Sequence, residues 1–393
     1  MIDELDLAFE GAVDRGRWRH RQKKGGRGRT LIAFTMVLLL FGALGGGAYY
    51  GFDRVRDYFT VEDYPGPGSG EAVVEVATGD TATDIAGTLY KADVVKSAAA
   101  FINAAKDNPK STGIQVGSYK LKKQMKASDA VTALLDLDNK NVNKVTIPEG
   151  IISLQIFDRL SEATGIPVAD FTKAAKDPEG LGVPDYWFTR RDGKKVNKTD
   201  IEGFLYPATY EFAKDDTAED VLKEIIKHFN AEMEELNFVD TVESKLKISP
   251  YEALVAASIA QVEAKLDEDM GPVVRVLYNR AYTGNFPCSC LQLDSTVNYW
   301  LRISGKDAKS SEKLLASELH DPKNPYNYDV KGMAIGPISS PGAPALKGAM
   351  NPPKSNYFFF VTIDQKGKTA FGVTNADHEK NIQKACKNGI PIC

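Results

Sequence analysis

The stretch from Ser249 to Asp269 constrains this chain more than any other. Ser249, Pro250 and Glu252 read as a helix start: a capping serine, a proline that fits the first turn, and an acid that completes a capping box. Val255, Ile259, Val262 and Leu266 then recur at helical spacing, and Ala253, Ala257, Ala260 and Ala264 form a second, narrow face. The pattern predicts one helix over 249–269, packed closely on another element. Glu263 falls between the two faces, at or inside the rim of the core. A carboxylate there is either paired or has a raised pKa. Two readings stand: a boundary glutamate whose end reaches water, or a general acid.

The N-terminus is asymmetric in charge. Five acids lie in residues 1–14 and eight Arg or Lys in residues 15–29, against a net charge of −4 for the 393-residue chain. The uncharged run from Leu31 to Tyr50 follows directly. Twenty helical residues span about 30 Å, the thickness of a bilayer core. The expectation is a basic tail over 1–30 and a transmembrane helix over 31–50. The basic flank would keep the N-terminus cytoplasmic and place the catalytic part outside a cell membrane crossed once. A cleaved signal peptide is disfavoured by the length of the apolar run and the lack of an A-x-A site. Beside such a segment, the basic run suits anionic lipid headgroups as partner rather than nucleic acid.

Asp63 to Gly68 is rich in Pro and Gly, and residues 51–70 read as a linker. Residues 71–140 follow as a small module ordered strand, helix, helix, strand, helix. Its Gly79-Asp80-Thr81 turn resembles the start of a lysin motif, which would imply polysaccharide binding. A larger region, 145–385, begins with a short strand ending at Pro148. Residues 191–200 are a polar surface loop, Ile201 to Tyr210 an ordered turn, and Ala218 to Leu236 an amphipathic helix buried through Leu222, Ile225, Ile226 and Phe229. Glu149 and Glu202 are loop carboxylates able to touch a ligand.

Beyond Asp269 a helix restarts at Gly271-Pro272 and closes at Arg280. In Leu291 to Val297, Asp294 or Ser295 can cap a further helix, while Gln292 and Asp294 either serve that cap or line a groove. Loops rich in Gly and Pro lead to a short helix at 343–350 and a hairpin over 357–373. Cys288, Cys290, Cys386 and Cys393 all follow the apolar run, so disulfides are permitted. A bridge inside Cys288-Ser289-Cys290 would be strained, so the expectation ties this loop to the C-terminal pair. His228, His320 and His378 show no HExxH spacing, and no G-x-S-x-G or phosphate loop occurs. No metal and no cofactor is expected.

Ordered blocks carry a family resemblance: EGFLYPATY (202–210), ASIAQVEA (257–264), LQLDSTVNY (291–299), PYNY (325–328), GPISSPG (336–342), ALKGAMNPP (345–353) and the Asp377-His378 pair. In these the chain resembles the endolytic murein transglycosylases of the YceG-like (MltG) family. The resemblance implies an α+β catalytic region and Glu263 as the catalytic acid. It also implies Gln292, Asp294, Tyr326, Asn327, Glu202 and Tyr210 as substrate-binding residues. Where the family has a first acid in the helix motif this chain has Gln261, and Ser295 stands where proline is usual.

The implied substrate is the glycan strand of peptidoglycan. The implied reaction is non-hydrolytic cleavage of the MurNAc–GlcNAc β-1,4 bond, leaving a 1,6-anhydro-MurNAc end and terminating strand growth. Partners implied are a peptidoglycan synthase or other divisome or elongasome proteins, and membrane lipids through the anchor. Two rival readings are a cell-wall-binding scaffold without turnover, and a hydrolase pairing Glu263 with Asp294 or Glu318.

Overall fold

A computed structural model describes residues 61–392, which divide into two compact units, up to Lys140 and from Asn141. In the first unit, β1 (Pro67–Val76) pairs antiparallel with β2 (Gly117–Met125), Val74 opposite Tyr119. Between them run α1 (Ala82–Lys91) and α2 (Ala98–Asp107), and α3 (Ala127–Leu135) follows β2. Leu89, Phe101, Tyr119 and Leu134 fill the core of this unit. Strand β1 begins at Pro67, inside the stretch expected to be linker, and the residues before it are stitched down. Ser97 Oγ donates to the Glu62 carbonyl at 2.8 Å, and Asp63 accepts from the Ala127 amide at 2.9 Å, capping α3 from outside the helix.

Two expectations for the N-terminal half are corrected. Among the described residues no helix is long and apolar enough to cross a membrane. The single-pass, membrane-anchored topology is therefore not supported; residues 31–50, on which it rested, lie outside the described residues. Nor is a clear lysin-motif module seen. The Gly79-Asp80-Thr81 signal is a capping box: Thr81 Oγ1 accepts from the Asp84 amide at 3.3 Å, and the Thr81 amide donates to Asp84 Oδ2 at 2.8 Å. Any helix start can use that chemistry, so the turn carries no information about glycan.

The second unit is α+β. Strand β3 (Val142–Thr146) pairs antiparallel with β4 (Thr209–Ala213), Val145 opposite Tyr210. Helices α4 (Ser153–Thr164) and α5 (Val168–Ala174) lie between them in sequence, and α6 (Ala218–Glu235) follows β4. The α6 face expected from the pattern is buried, and Phe229 packs with Trp187 and Phe204 at ring distances of 5.2 and 5.3 Å.

The helix expected over 249–269 is two helices. α7 (Pro250–Glu263) stops at Glu263; Ala264 is extended, and α8 (Asp267–Tyr282) begins three residues later. Asp267, Glu268 and Asp269 sit in the first turn of α8, where acids complement the helix dipole, and Pro272 lies within the helix. α7 has no polar face: it is buried on every side from Pro250 to Ala260. Glu252 does not complete a capping box. Its carboxylate accepts from the Arg191 amide at 2.7 Å, from Tyr282 Oη at 2.9 Å and from Ser249 Oγ at 2.7 Å, which ties the 190–192 loop to both helices.

α9 (Asp294–Ile303), α10 (Ala343–Met350), the hairpin β5 (Phe359–Thr362) with β6 (Thr369–Gly372), and α11 (Asn375–Lys387) complete the unit. α10 packs against α7 and α8. A Cβ on Gly348 would lie 2.9 Å from the Gly271 amide nitrogen, so the α8–α10 approach requires glycine there. The cysteine expectation is also corrected. Cys288 is bonded to Cys290, and Cys386 is disulfide-bonded separately. Ser289 adopts φ +48°, which turns the three-residue loop back on itself and brings the two Cα atoms to 5.1 Å.

Candidate active site

α7 presents its functional residues because its last turn leaves the core. Ala260 is buried, whereas Gln261 is half-buried and Val262 is 41 % exposed. Gln261 then works as a clamp. Its Oε1 accepts from the Gly342 amide at 2.8 Å, and its Nε2 donates to Glu149 Oε2 at 3.1 Å. One turn earlier, Ser258 Oγ accepts from the Ile338 amide at 3.0 Å, and Ser339 Oγ donates to the Ser258 carbonyl at 2.9 Å. These bonds fix the 336–342 loop along the end of α7. Gly150 and Ser340 complete the link, the Gly150 amide donating to the Ser340 carbonyl at 2.8 Å.

Glu263 is the last residue of α7. Ser295 Oγ donates to its Oε1 at 2.5 Å. Burial raises its pKa first, and Asp294 raises it further; Ser295 and Arg280 act in the opposite direction. The negative end of the α7 dipole adds to the preference for the neutral form. Arg280 is buried, and its own pKa falls to about 10 through that burial. It donates to the carbonyls of Phe358, at 2.6 Å, and Leu291, and its guanidinium lies over Phe286 at 4.7 Å. The cation is thus fixed by carbonyls and rings rather than by a carboxylate.

A cleft of about 390 Å³ opens beside Ser295. Glu149, Gln261, Val262, Ser295, Asn298 and Arg302 line it, from the 149–152 loop, the end of α7 and one side of α9. A larger hollow, about 820 Å³, lies between α5 and the start of α6. Its acids, Asp170, Asp177 and Glu219, are all exposed, so it lacks a group held in its protonated form by burial.

The substrate-binding candidates separate into four places. Asp294 lies beside Glu263 and accepts a hydrogen bond from Tyr328 Oη; it does not cap α9, and neither does Ser295. Gln292, exposed and at φ +52°, lines a small crevice with Tyr326 and Asn327 next to the first turn of α9. Tyr326 is buried edge-on against Tyr299, and Asn327 holds its own loop through the Asp321 carbonyl at 2.8 Å. Glu202 is 1 % exposed and substitutes for the missing cap of α4, accepting from the Ser153 amide at 3.0 Å and from Ser153 Oγ at 2.9 Å. Its pKa is pushed up to about 8, by burial first and by Asp200 next. Tyr210 stays in the β4 core, donating to the Tyr206 carbonyl at 2.7 Å.

Glu318, the other acid considered for a hydrolase, is bonded by the Leu315 amide at 3.0 Å and by Lys309 Nζ at 2.6 Å, and both hold its pKa below the usual range. Among the described residues no cluster of His, Cys, Asp or Glu is placed to hold a metal ion. His378 sits in α11 with its ring stacked on Phe359 at 5.2 Å. Two residues of the site are not legible from sequence reasoning: Arg280 as the cation near Glu263, and Ser295 as its hydrogen-bond donor. The serine's departure from the usual proline is the available signal.

The fold and cleft together define a class: an α+β protein with a half-buried carboxyl next to residues that line a groove. The chain belongs to the YceG-like family, whose profile matches residues 74–384, which takes in the first unit from the end of β1 onward. An endolytic murein transglycosylase of Bacillus subtilis (strain 168) is 29 % identical over 328 residues, covering 79 % of this chain and 84 % of that one. One from Streptococcus pneumoniae (strain D39) is 26 % identical over 371 residues, covering 89 % of this chain and 64 % of that one. Among solved structures, a putative yceG-like protein from Listeria monocytogenes matches with a TM-score of 0.51 and 30 % identity. That match covers 79 % of this chain and 98 % of the other.

Proposed function

We propose that Glu263 cleaves the MurNAc–GlcNAc β-1,4 bond of peptidoglycan glycan strands and that the product carries a 1,6-anhydro-MurNAc end. The coarser activity goes with the family: the chain is an endolytic lytic transglycosylase acting on peptidoglycan. The protonated carboxyl gives its proton to the glycosidic oxygen, which leaves as the GlcNAc 4-hydroxyl. The MurNAc 6-hydroxyl oxygen then bonds to C1, and its proton passes to the Glu263 carboxylate. No water is consumed and the acid is regenerated, so one carboxyl serves both steps. Inverting and retaining hydrolases need a second carboxylate to activate water or form a glycosyl ester. The observation that carries this reading is Glu263 itself, a carboxyl whose burial favours the protonated form and whose chain neighbour Val262 and hydrogen-bond donor Ser295 line a cleft. Gln261 supports it, since the neighbouring polar position on α7 is an amide engaged in holding the cleft wall. A synthase partner that supplies new strands accords with the same reading.

Product analysis tests it. Un-crosslinked glycan strands are incubated with the full chain in isotope-labelled water. The expected products are anhydro-terminated fragments without solvent oxygen. Reducing ends carrying the label would mean hydrolysis, and intact strands would mean a binding protein.

A further inference from the structure

The two oxygens of Glu263 are not equivalent. Oε1 accepts the Ser295 hydroxyl at 2.5 Å. Oε2 makes no side-chain hydrogen bond among the described residues, and the Glu263 side chain is half-buried rather than closed in on all sides. Ser295 itself lines the cleft, together with Gln261 on the same helix end as Glu263. We propose that Ser295 is a positioning residue that holds Oε1 as a permanent acceptor and so assigns the travelling proton to Oε2. This inference rests on Glu263 being the acid of the reaction.

The chemistry of a carboxyl explains why such a device matters. A protonated carboxyl has one acceptor oxygen and one donor oxygen, and a carboxylate has two acceptors. A hydroxyl donating to Oε1 is satisfied in both forms, so its bond survives when the proton leaves and when it returns. The proton is then confined to Oε2 in both half-reactions, and the carboxyl has no need to rotate between them. A carboxyl free to flip would spend part of its time with its proton directed away from the substrate. The bond from Ser295 is the one side-chain hydrogen bond that Glu263 makes among the described residues.

The charged and titratable groups that bear on Glu263 are Asp294 of α9, Arg280 of α8 and, through Asp294, Tyr328. Lys265, two residues on, packs instead against the turn at Gly367. Arg280 stays charged and Tyr328 stays neutral through the neutral range, because their pKa values lie above it. Loss of activity with rising pH therefore reports the proton on Glu263.

The test is the pH profile of the full chain on un-crosslinked glycan strands, for the parent, Ser295→Ala and Ser295→Thr. Ser295→Ala removes a donor that favours the carboxylate, so the alkaline limb of kcat/KM should move upward by about one pH unit. Its kcat at the optimum should fall roughly ten-fold, since the acid is present but no longer oriented. KM should change little. Ser295→Thr keeps the hydroxyl and should restore both the limb and most of kcat. A Ser295→Ala limb that superimposes on that of the parent overturns the proposal, whatever happens to kcat, because a merely structural defect lowers rate without moving the limb. If Ser295→Ala does not fold, Ser295→Cys, whose thiol is a weak donor, should show the same upward displacement. Glu263→Gln separates the two claims. If it retains activity, the assignment of the acid fails; if it is inactive while the Ser295→Ala limb is unmoved, only the role of Ser295 fails.

Discussion

Replacing Glu202 with glutamine should make the protein more stable at neutral pH and slightly less stable in mild acid. Glu202 is buried, and its pKa is pushed from an ordinary 4.5 up to about 8, by burial first and by Asp200 second. The folded chain therefore keeps a proton that the unfolded chain has already lost between those two values. In that window the native state binds more protons, so stability falls as pH rises, by about 1.4 kcal/mol per unit. From the unfolded pKa to about pH 7 the loss is on the order of 3 kcal/mol. Glutamine cannot ionise, so the variant lacks this slope. Its oxygen still accepts from the Ser153 amide and its NH₂ stands where the protonated carboxyl has its hydroxyl, so the cap of α4 is kept. Imperfect bonding costs about 1 kcal/mol at every pH. Asp200, whose pKa is also raised by burial, contributes a slope of the same sign that remains in both proteins. Denaturant unfolding across the range from about pH 5 to about pH 8 measures the difference directly. Parallel curves for parent and variant would refute the argument, because they would mean that Glu202 titrates alike in the folded and unfolded chains.

Three further outcomes follow from the same geometry. Gly203→Ala should destabilise by about 2–4 kcal/mol in thermal or denaturant melts, because Gly203 has φ +84° and a Cβ there would lie 2.6 Å from Pro337 Cβ. Ser258→Ala leaves the buried Ile338 amide without its acceptor and should cost about 1–3 kcal/mol, with KM rising as the cleft wall loosens. Replacing Cys288 and Cys290 together by serine opens only a three-residue ring, so the melting experiment should show a loss of about 1–2 kcal/mol, with glycan cleavage retained.

The parts of this fold that depend on local chemistry are legible in the sequence. The α6 face, the start of α7 at Ser249-Pro250 and the 343–350 helix need only spacing and capping. Sequence pattern misleads where tertiary context decides. Helical periodicity continues through Leu266, but α7 ends at Glu263 so that the chain can turn and lay α8 against it. The acids at 267–269 mark that second start. Strand β4 begins inside the stretch that reads as an ordered turn, although its alternation of exposed Glu211 with buried Tyr210 and Phe212 is the pattern of a strand. Helix α11 has a signal of its own in the Thr374–Asp377 capping box, which the Asp377-His378 pair overshadows. The site divides in the same way. Glu263 is marked by its position between faces and by the family blocks. Glu202 carries the same kind of motif signal, yet its carboxylate is engaged at the end of α4, because a conspicuous motif marks structure as readily as contact with substrate. The bond from Ser295 to Glu263 joins residues 32 positions apart and has no local pattern that could announce it.

The central claim is that one carboxyl, Glu263, both gives and takes the proton. Glu263→Gln keeps the size of the side chain and an acceptor for Ser295 but can do neither step. The measurement is the rate of release of 1,6-anhydro-terminated fragments from un-crosslinked glycan strands by the full-length variant, with its melting curve recorded alongside. The rate should fall by at least about 10²–10⁴-fold, the usual contribution of general acid–base catalysis. The fold should be retained, because a neutral amide replaces a group whose burial already favours its neutral form. Glu318→Gln, which removes an acid engaged with Lys309 and the Leu315 amide, should leave the rate close to that of the parent. A folded Glu263→Gln protein that releases anhydro fragments at near the parent rate would contradict the account.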